Sequence, residues 1–93
     1  MDKKAAFYKK LKIDLEETTK FPTKYLYKFI VPSDEEKIQQ VETTFDHMGA
    51  VITKKSSKTG KFISISILVK MHDADEVIKK YKEVEIVEGI ISL

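Results

Sequence analysis

The chain has 93 residues, room for one domain, and 42% of them are apolar while 34% are charged, a balance typical of a globular protein. It contains no cysteine, which excludes a disulfide scaffold, a thiolate metal site and a cysteine nucleophile. All 17 basic residues are lysine. Without the planar guanidinium of arginine, bidentate recognition of phosphate, carboxylate or guanine loses its usual donor.

The N-terminal residues lack the apolar core of a secretory signal, and no apolar run approaches the roughly 20 residues that span a membrane. We therefore expect a cytoplasmic protein with no membrane partner. The net charge of +2 is small, but the charges are unevenly spread. Lysines concentrate in residues 1–12 and 54–61, and acids in residues 33–46, so the molecule is expected to have basic and acidic ends.

The first predicted element is an amphipathic helix over residues 2–17. Phe7, Leu11 and Leu15 recur every four residues along it, with lysines and acids between them. This apolar stripe is narrow, so the helix needs a surface on which to lie.

A strand is predicted from Tyr25 to Val31, followed by a helix that opens at Ser33. Ser33 and Glu36 have the spacing of a capping box, in which each side chain satisfies a free backbone donor of the other residue. Gly49 is expected to stop this helix in the left-handed conformation. Apolar residues at helical spacing form its predicted buried stripe: Ile38, Val41, Phe45 and Met48.

The second half of the chain repeats this pattern. A strand over Ala50–Lys55, a turn around Gly60 and a strand over Phe62–Met71 predict a hairpin. A helix over Asp73–Lys82, capped by its first residue, and a final strand over Ile86–Leu93 complete the series.

This order is a helix followed by βαββαβ. It predicts a ferredoxin-like α+β fold, with a four-stranded antiparallel sheet, a central third strand, two helices on one face and the extra N-terminal helix. We expect a single domain over residues 1–93, in which residues 1–20 form an N-terminal helical extension and residues 24–93 form the βαββαβ core.

Motifs of catalysis and metal binding are not recognisable. His47 and His72 are the only histidines, and neither has a partner at the spacing of a metal site. Glycine occurs only at positions 49, 60 and 89, which excludes the G-x-S-x-G and G-x-G-x-x-G motifs. We therefore expect no enzymatic activity, no catalytic site, no metal and no cofactor.

Lysines surround the predicted hairpin turn. Residues 54–61 contain a Gly-Lys pair, but the first glycine of a phosphate-binding loop is missing and the segment joins two strands instead of opening a helix. Lysines at a sheet edge commonly prevent aggregation. Contact with an anion is kept as the alternative role of four of them: Lys54, Lys55, Lys58 and Lys61.

One face of the predicted sheet has no cover within the βαββαβ core. Lys28 would be costly in the core, which favours a register with Tyr25, Tyr27 and Phe29 toward the helices. The candidate interaction surface then consists of alternate residues of the first and third strands: Leu26, Lys28, Ile30, Phe62, Ser64, Ser66 and Leu68. The N-terminal helix is expected to cover part of this face, and a second copy of the chain or another protein the rest.

The same element order occurs in the RNA-recognition motif, which stacks bases on aromatic residues of its first and third strands. Here Phe62 is aromatic, but Ser64 follows it on the same face, so only one ring is available on this strand. We do not expect specific nucleic-acid binding, and weak, salt-sensitive binding by lysines stays an alternative.

Two segments resemble the YbeD-like family of small uncharacterised bacterial proteins. Residues 21–30, FPTKYLYKFI, are similar to its F-P-x-x-Y-x-Y-K-hydrophobic pattern, and residues 57–64, SKTGKFIS, to its S-x-G-K-aromatic-x-S segment with Thr59 as one extra residue. The resemblance implies a ferredoxin-like fold similar to ACT regulatory domains, and some relatives carry a lipoate-regulation label. ACT domains bind an amino acid near a glycine in the first strand-to-helix loop, whereas residues 31–34 here contain none.

These observations together predict a non-enzymatic, ACT-like regulatory or protein-interaction module that self-associates or binds another protein. The alternatives are a weak nucleic-acid-binding domain and a sensor of a small molecule, either an amino acid or a lipoate-related compound.

Overall fold

A computed structural model describes residues 3–93, so Asp2, the first residue of the predicted N-terminal helix, lies outside the described residues. Within that range the chain forms three helices and four strands. In chain order they are α1 (Lys3–Thr18), β1 (Thr23–Pro32), α2 (Glu35–Thr44), β2 (Val51–Ser56), β3 (Phe62–Met71), α3 (Ala74–Val84) and β4 (Ile91–Ser92). The predicted order of elements is confirmed, and β3 has the predicted bounds.

The four strands form one antiparallel sheet in the order β2-β3-β1-β4. The two central strands, β1 and β3, pair along their whole length, from Thr23 opposite Met71 to Pro32 opposite Phe62. β4 pairs with β1 through only two residues. The predicted α+β class, the antiparallel sheet and the central position of β3 are therefore confirmed.

One face of the sheet carries the core and is called the covered face below. Tyr27 and Phe29 are fully buried and stack on each other, and Phe45, the residue that follows α2, packs against both rings. The Tyr27 hydroxyl donates a hydrogen bond of 2.9 Å to the carbonyl oxygen of Val77 in α3. The predicted β1 register is therefore confirmed. The covered face consists of alternate residues of the central strands: Tyr25, Tyr27, Phe29, Val31, Ile63, Ile65, Ile67, Val69 and Met71.

α1 packs beside α3, on the covered side of the sheet. Leu15 is the buried residue of this helix, the amine of Lys12 lies 3.0 Å from a carboxylate oxygen of Asp75, and the Tyr8 hydroxyl donates a hydrogen bond to Glu85. The expectation that α1 covers part of the opposite face is therefore wrong. The apolar stripe of α1 is too narrow to contact both faces of the sheet, and it packs against the core.

α2 begins one residue later than the sequence predicts. Asp34 is its N-cap, since the Asp34 carboxylate accepts a hydrogen bond of 2.9 Å from the backbone N–H of Glu36. The backbone N–H of Ser33 instead donates to the carbonyl oxygen of Lys61 at 2.9 Å, which prolongs the pairing of β1 with β3. The predicted capping box of Ser33 and Glu36 is therefore wrong, because Ser33 is still held by the sheet.

The end of α2 also differs from the prediction. The helix ends at Thr44, and a turn separates it from Gly49. Gly49 does adopt a left-handed φ of 69°, but it closes this turn before β2 instead of capping the helix. His47, with a φ of 62°, lies in the same turn.

The last predicted strand is mostly a series of turns. The N–H of Val87 donates to the carbonyl of Val84 at 3.0 Å, and the N–H of Ile90 donates to that of Val87 at 3.2 Å. Val87 is 1% exposed and anchors this segment in the core. The prediction of a strand from Ile86 is therefore wrong for residues 86–90. The β-branched residues of this segment form a turn with one buried residue, and only β4 pairs with the sheet.

Candidate interaction surface

The face of the sheet opposite the helices is called the open face. Residues directly opposite each other in adjacent strands point to the same side, so the register defines its members. All seven residues of the predicted interaction surface lie on it. The described members are Lys24, Leu26, Lys28, Ile30, Pro32, Val51, Thr53, Lys55, Phe62, Ser64, Ser66, Leu68, Lys70 and Ile91.

An aliphatic row crosses three strands of the open face. Leu68 lies directly opposite Leu26 on one side and Val51 on the other. Leu26 is 49% exposed and Val51 is 63% exposed. Three strands at spacings of about 4.8 Å make this row about 10 Å long. Val51 was missed by sequence reasoning, because the pairing of β2 with β3 is not visible in either segment alone.

A second apolar group lies toward the other end of the open face. Ile91 of β4 lies directly opposite Ile30 and is 51% exposed, and Phe62 at the start of β3 is 44% exposed. Ile91 was also missed, since its strand was predicted to be longer and its pairing partner was unknown.

Every charged residue in the four strands is a lysine. Lys24 lies directly opposite Lys70 at one flank of the aliphatic row, and Lys28 lies at the other flank. Lys55 is on β2, opposite Ser64. All four side chains are exposed, and among the described residues none of their amines has a hydrogen bond or an ion pair. The open face is therefore apolar and cationic.

The four lysines predicted as an anion contact do not form one cluster. Lys54 points to the helix side, where its amine lies 3.1 Å from the Glu42 carboxylate of α2. Lys55 belongs to the open face, while Lys58 and Lys61 are exposed in the hairpin turn. The candidate surface predicted from sequence did not include Lys24 or Lys70, although two-residue alternation places Lys24 on the side of Lys28 and Lys70 on the side of Leu68.

The groups with shifted pKa values lie in the helix layer or the core. Burial raises the pKa of Tyr27 and of Tyr81, and the Tyr81 hydroxyl also lies 2.9 Å from that of Tyr25. Partial burial pushes the pKa of Glu76 upward, but hydrogen bonds from His72, one of them from its backbone N–H at 3.0 Å, hold that pKa below its usual range. The tyrosine contacts belong to the packing of the core, and the contacts of Glu76 belong to the start of α3.

Glu76 and Asp73 together cap α3. The Asp73 carboxylate accepts a hydrogen bond of 2.8 Å from the backbone N–H of Glu76, which confirms the predicted cap. The ring Nδ1 of His72 lies 3.1 Å from the Glu76 carboxylate. His72 thus takes part in the helix start.

The described residues form several clefts outside the open face, and two of these clefts adjoin the sheet. A groove of about 520 Å³ between α2 and β2 has a mixed lining, in which the carboxylates of Glu35, Glu42 and Asp46 lie beside apolar and uncharged polar side chains and Lys54. A smaller cleft of about 280 Å³ separates α1 from the side chains of Tyr25 and Tyr81. Across residues 3–93, no group of three or more His, Cys, Asp or Glu residues is arranged to hold a metal ion. No helix in that range is long and apolar enough to cross a membrane.

These features define a class of small α+β domain, in which helices cover one face of an antiparallel sheet and the other face is open, apolar and lysine-bearing. The chain belongs to the family described as protein of unknown function (DUF493), whose family model matches residues 16–92. A search of the curated proteins and a search of the solved structures each found no match. The matched range includes all four strands, α2 and α3, whereas most of α1 precedes it.

Proposed function

We propose that this protein is a non-enzymatic, regulatory protein-interaction module that binds its partner through the open face. The observation that carries the proposal is the aliphatic row of Leu26, Leu68 and Val51, which no described part of the chain covers. Apolar patches surrounded by polar groups are typical of protein interaction sites. The serines and lysines around the row supply such a rim.

The topology supports a regulatory function by analogy. Two βαβ units joined by a hairpin give the observed order β2-β3-β1-β4, from which we infer a ferredoxin-like fold. The sequence resemblance to YbeD-like proteins, which is consistent with the family match, implies the same fold and its likeness to ACT regulatory domains. An analogy of fold does not identify a ligand, so the proposal depends on the open face.

We propose a different protein as the partner instead of a second copy placed face to face. Such a symmetric dimer would bring together two copies of every lysine on the open face, without a carboxylate from any described strand between them. Like charges brought together at an interface cost free energy.

The four lysines favour one second candidate, weak binding of single-stranded nucleic acid. Lysines attract phosphates without reading a sequence, so such binding would weaken steeply with salt. Phe62 is the only aromatic residue among the described members of the open face, and bases stack on aromatic rings. The aliphatic row would have no function in such a complex, which is why we prefer a protein partner.

Photocrosslinking in the native cell tests the proposal. A photoreactive amino acid replaces Val51 in the aliphatic row, and a matched variant carries it at Ile86, which is 77% exposed beside α2. We expect a discrete adduct with another protein from position 51 and not from position 86. Failure to form an adduct at position 51, or the same adduct from both positions, would contradict the proposal. An adduct between two copies would replace it with a homodimer, and an adduct with nucleic acid would establish the second candidate.

A further inference from the structure

We infer that the partner of the open face is an acidic, amphipathic protein segment, whose apolar stripe covers the aliphatic row while its carboxylates pair with Lys24, Lys28 and Lys70. This inference rests on the proposed function and adds the chemistry of the partner. It is carried by the position of the lysines relative to the row and by their lack of partners among the described residues.

Lysines flank the aliphatic row on both sides. Lys24 and Lys70 precede and follow Leu26 and Leu68 by two residues, and Lys28 lies two residues beyond Leu26 in the other direction. Two residues of a strand span about 7 Å, so a ligand seated on the row has ammonium groups within reach on both flanks. The aliphatic stems of these lysines extend the apolar contact while their charged ends stay in water.

The open face differs from the helix layer in how its lysines are neutralised. On the helix side, the amines of Lys12, Lys54 and Lys80 each lie within 3.1 Å of a carboxylate oxygen. On the open face, Lys24 and Lys70 lie directly opposite each other without such a partner, and like charges in this position destabilise a sheet. A carboxylate placed between these two amines would relieve the repulsion. The open face therefore selects negative charge at a defined position.

The shape of the row fits a helix. An apolar stripe of residues i, i+4 and i+7 extends about 10 Å along a helix, which matches the length of the row across three strands. Glutamates that flank this stripe would face the lysines.

A nucleic acid would contact the lysines but leave the aliphatic row exposed. A membrane needs a continuous apolar surface for insertion, and here serines and lysines interrupt that surface.

The inference is tested by titrating the ¹⁵N-labelled full chain with defined probes. The first probe is a synthetic helical peptide with a leucine stripe flanked by glutamates, and its control replaces the glutamates with glutamines. The competing probes are oligouridylate and phosphatidylglycerol vesicles. We expect the glutamate peptide alone to shift the backbone amide signals of the residues of the open face.

Matched variants locate the binding. We expect Lys24→Glu with Lys70→Glu to weaken peptide binding about tenfold or more, since two attractive pairs become repulsive. Lys9→Glu with Lys79→Glu changes the net charge equally at exposed sites on α1 and α3, and it should alter the affinity less than about twofold. Leu26→Ser with Leu68→Ser should also weaken binding, which separates an amphipathic partner from a purely electrostatic one.

Equal losses from both charge variants would overturn the inference, because net charge alone would then explain binding. So would tighter binding of oligouridylate or of vesicles than of the glutamate peptide, or an equal affinity for the glutamine peptide. A photocrosslinked protein partner at Val51 together with no peptide binding would leave the proposed function standing and reject the acidic partner. The absence of both the adduct and peptide binding would reject both.

Discussion

The two faces of the sheet are built from the same strands but differ in composition and cover. On β3, Ile67 is fully buried against the helices, while the next residue, Leu68, lies half-buried on the open face. The covered face is aromatic and aliphatic, and its one fully buried hydroxyl, that of Tyr27, has a hydrogen-bond partner. The open face combines exposed aliphatic residues with lysines.

This difference suggests that the covered face determines stability, whereas the open face has the role in binding that we propose. Close packing on the covered face stabilises the fold. Removing a buried group loses the free energy of its burial and adds the free-energy cost of the cavity that is left. We expect residues of the open face to contribute less to stability, and in the proposed function they bind the partner. Substitutions at neighbouring positions of one strand therefore separate stability from binding.

The largest expected effect compares Ile67→Ala with Leu68→Ala. The first removes fully buried apolar groups, so the free energy of unfolding should fall by about 2–5 kcal/mol. The second removes a part-buried side chain and leaves no enclosed cavity, so the loss should be smaller, about 1–2 kcal/mol. Urea unfolding followed by circular dichroism measures both. Equal losses would show that Leu68 is covered in the free protein and would abolish the distinction between the faces.

A smaller effect is expected from Tyr27→Phe, which removes the hydrogen bond to Val77 and should cost about 1 kcal/mol at neutral pH. Burial raises the pKa of Tyr27 above its ordinary value of 10.0, so the folded state keeps a proton that the unfolded state releases. The stabilisation from this proton is present below about pH 10 and falls above it by about 1.4 kcal/mol per pH unit. The phenylalanine variant should lack this component of alkaline destabilisation.

Phe62→Tyr is the control, because it places a tyrosine on the open face at a position that is 44% exposed. Its hydroxyl should titrate similarly in the folded and unfolded states, so the variant should keep the wild-type dependence on pH. The measurement is urea unfolding between pH 8 and about pH 11. A steeper alkaline slope for Phe62→Tyr than for the wild type would show that position 62 is shielded from solvent.

The smallest expected effect separates the adjacent residues Lys54 and Lys55. Lys54→Ala removes an ion pair with Glu42 whose partners are both part-exposed, so it should cost about 0.2–1 kcal/mol. Lys55→Ala removes one charge from a face whose charged residues are all lysine, so the free energy of unfolding should stay the same or rise slightly. Thermal unfolding at low salt should resolve the pair, and high salt should reduce the difference. A larger loss from Lys55→Ala would reveal a partner for its amine.

Much of the candidate surface could be predicted from residue alternation. In β3, isoleucines and valine alternate with serines and leucine, so the two sets had to lie on opposite faces. Lys28 then fixed the orientation of β1, because a charge toward the core is costly. The start of α2 could not be predicted to the residue, since Ser33 and Asp34 are both good caps and the hydrogen bond from Ser33 to Lys61 decides between them.

The sequence by itself determined the order of the elements, the side on which the residues of β1 and β3 lie and the cationic character of the strands. These properties follow from local periodicity and residue type, which need no knowledge of distant neighbours. Only the tertiary structure decided that Val51 completes the aliphatic row, that Lys24 meets Lys70 and that α1 lies beside α3. Register and docking depend on contacts between residues far apart in the chain, and periodicity within one segment carries no information about which partner it meets.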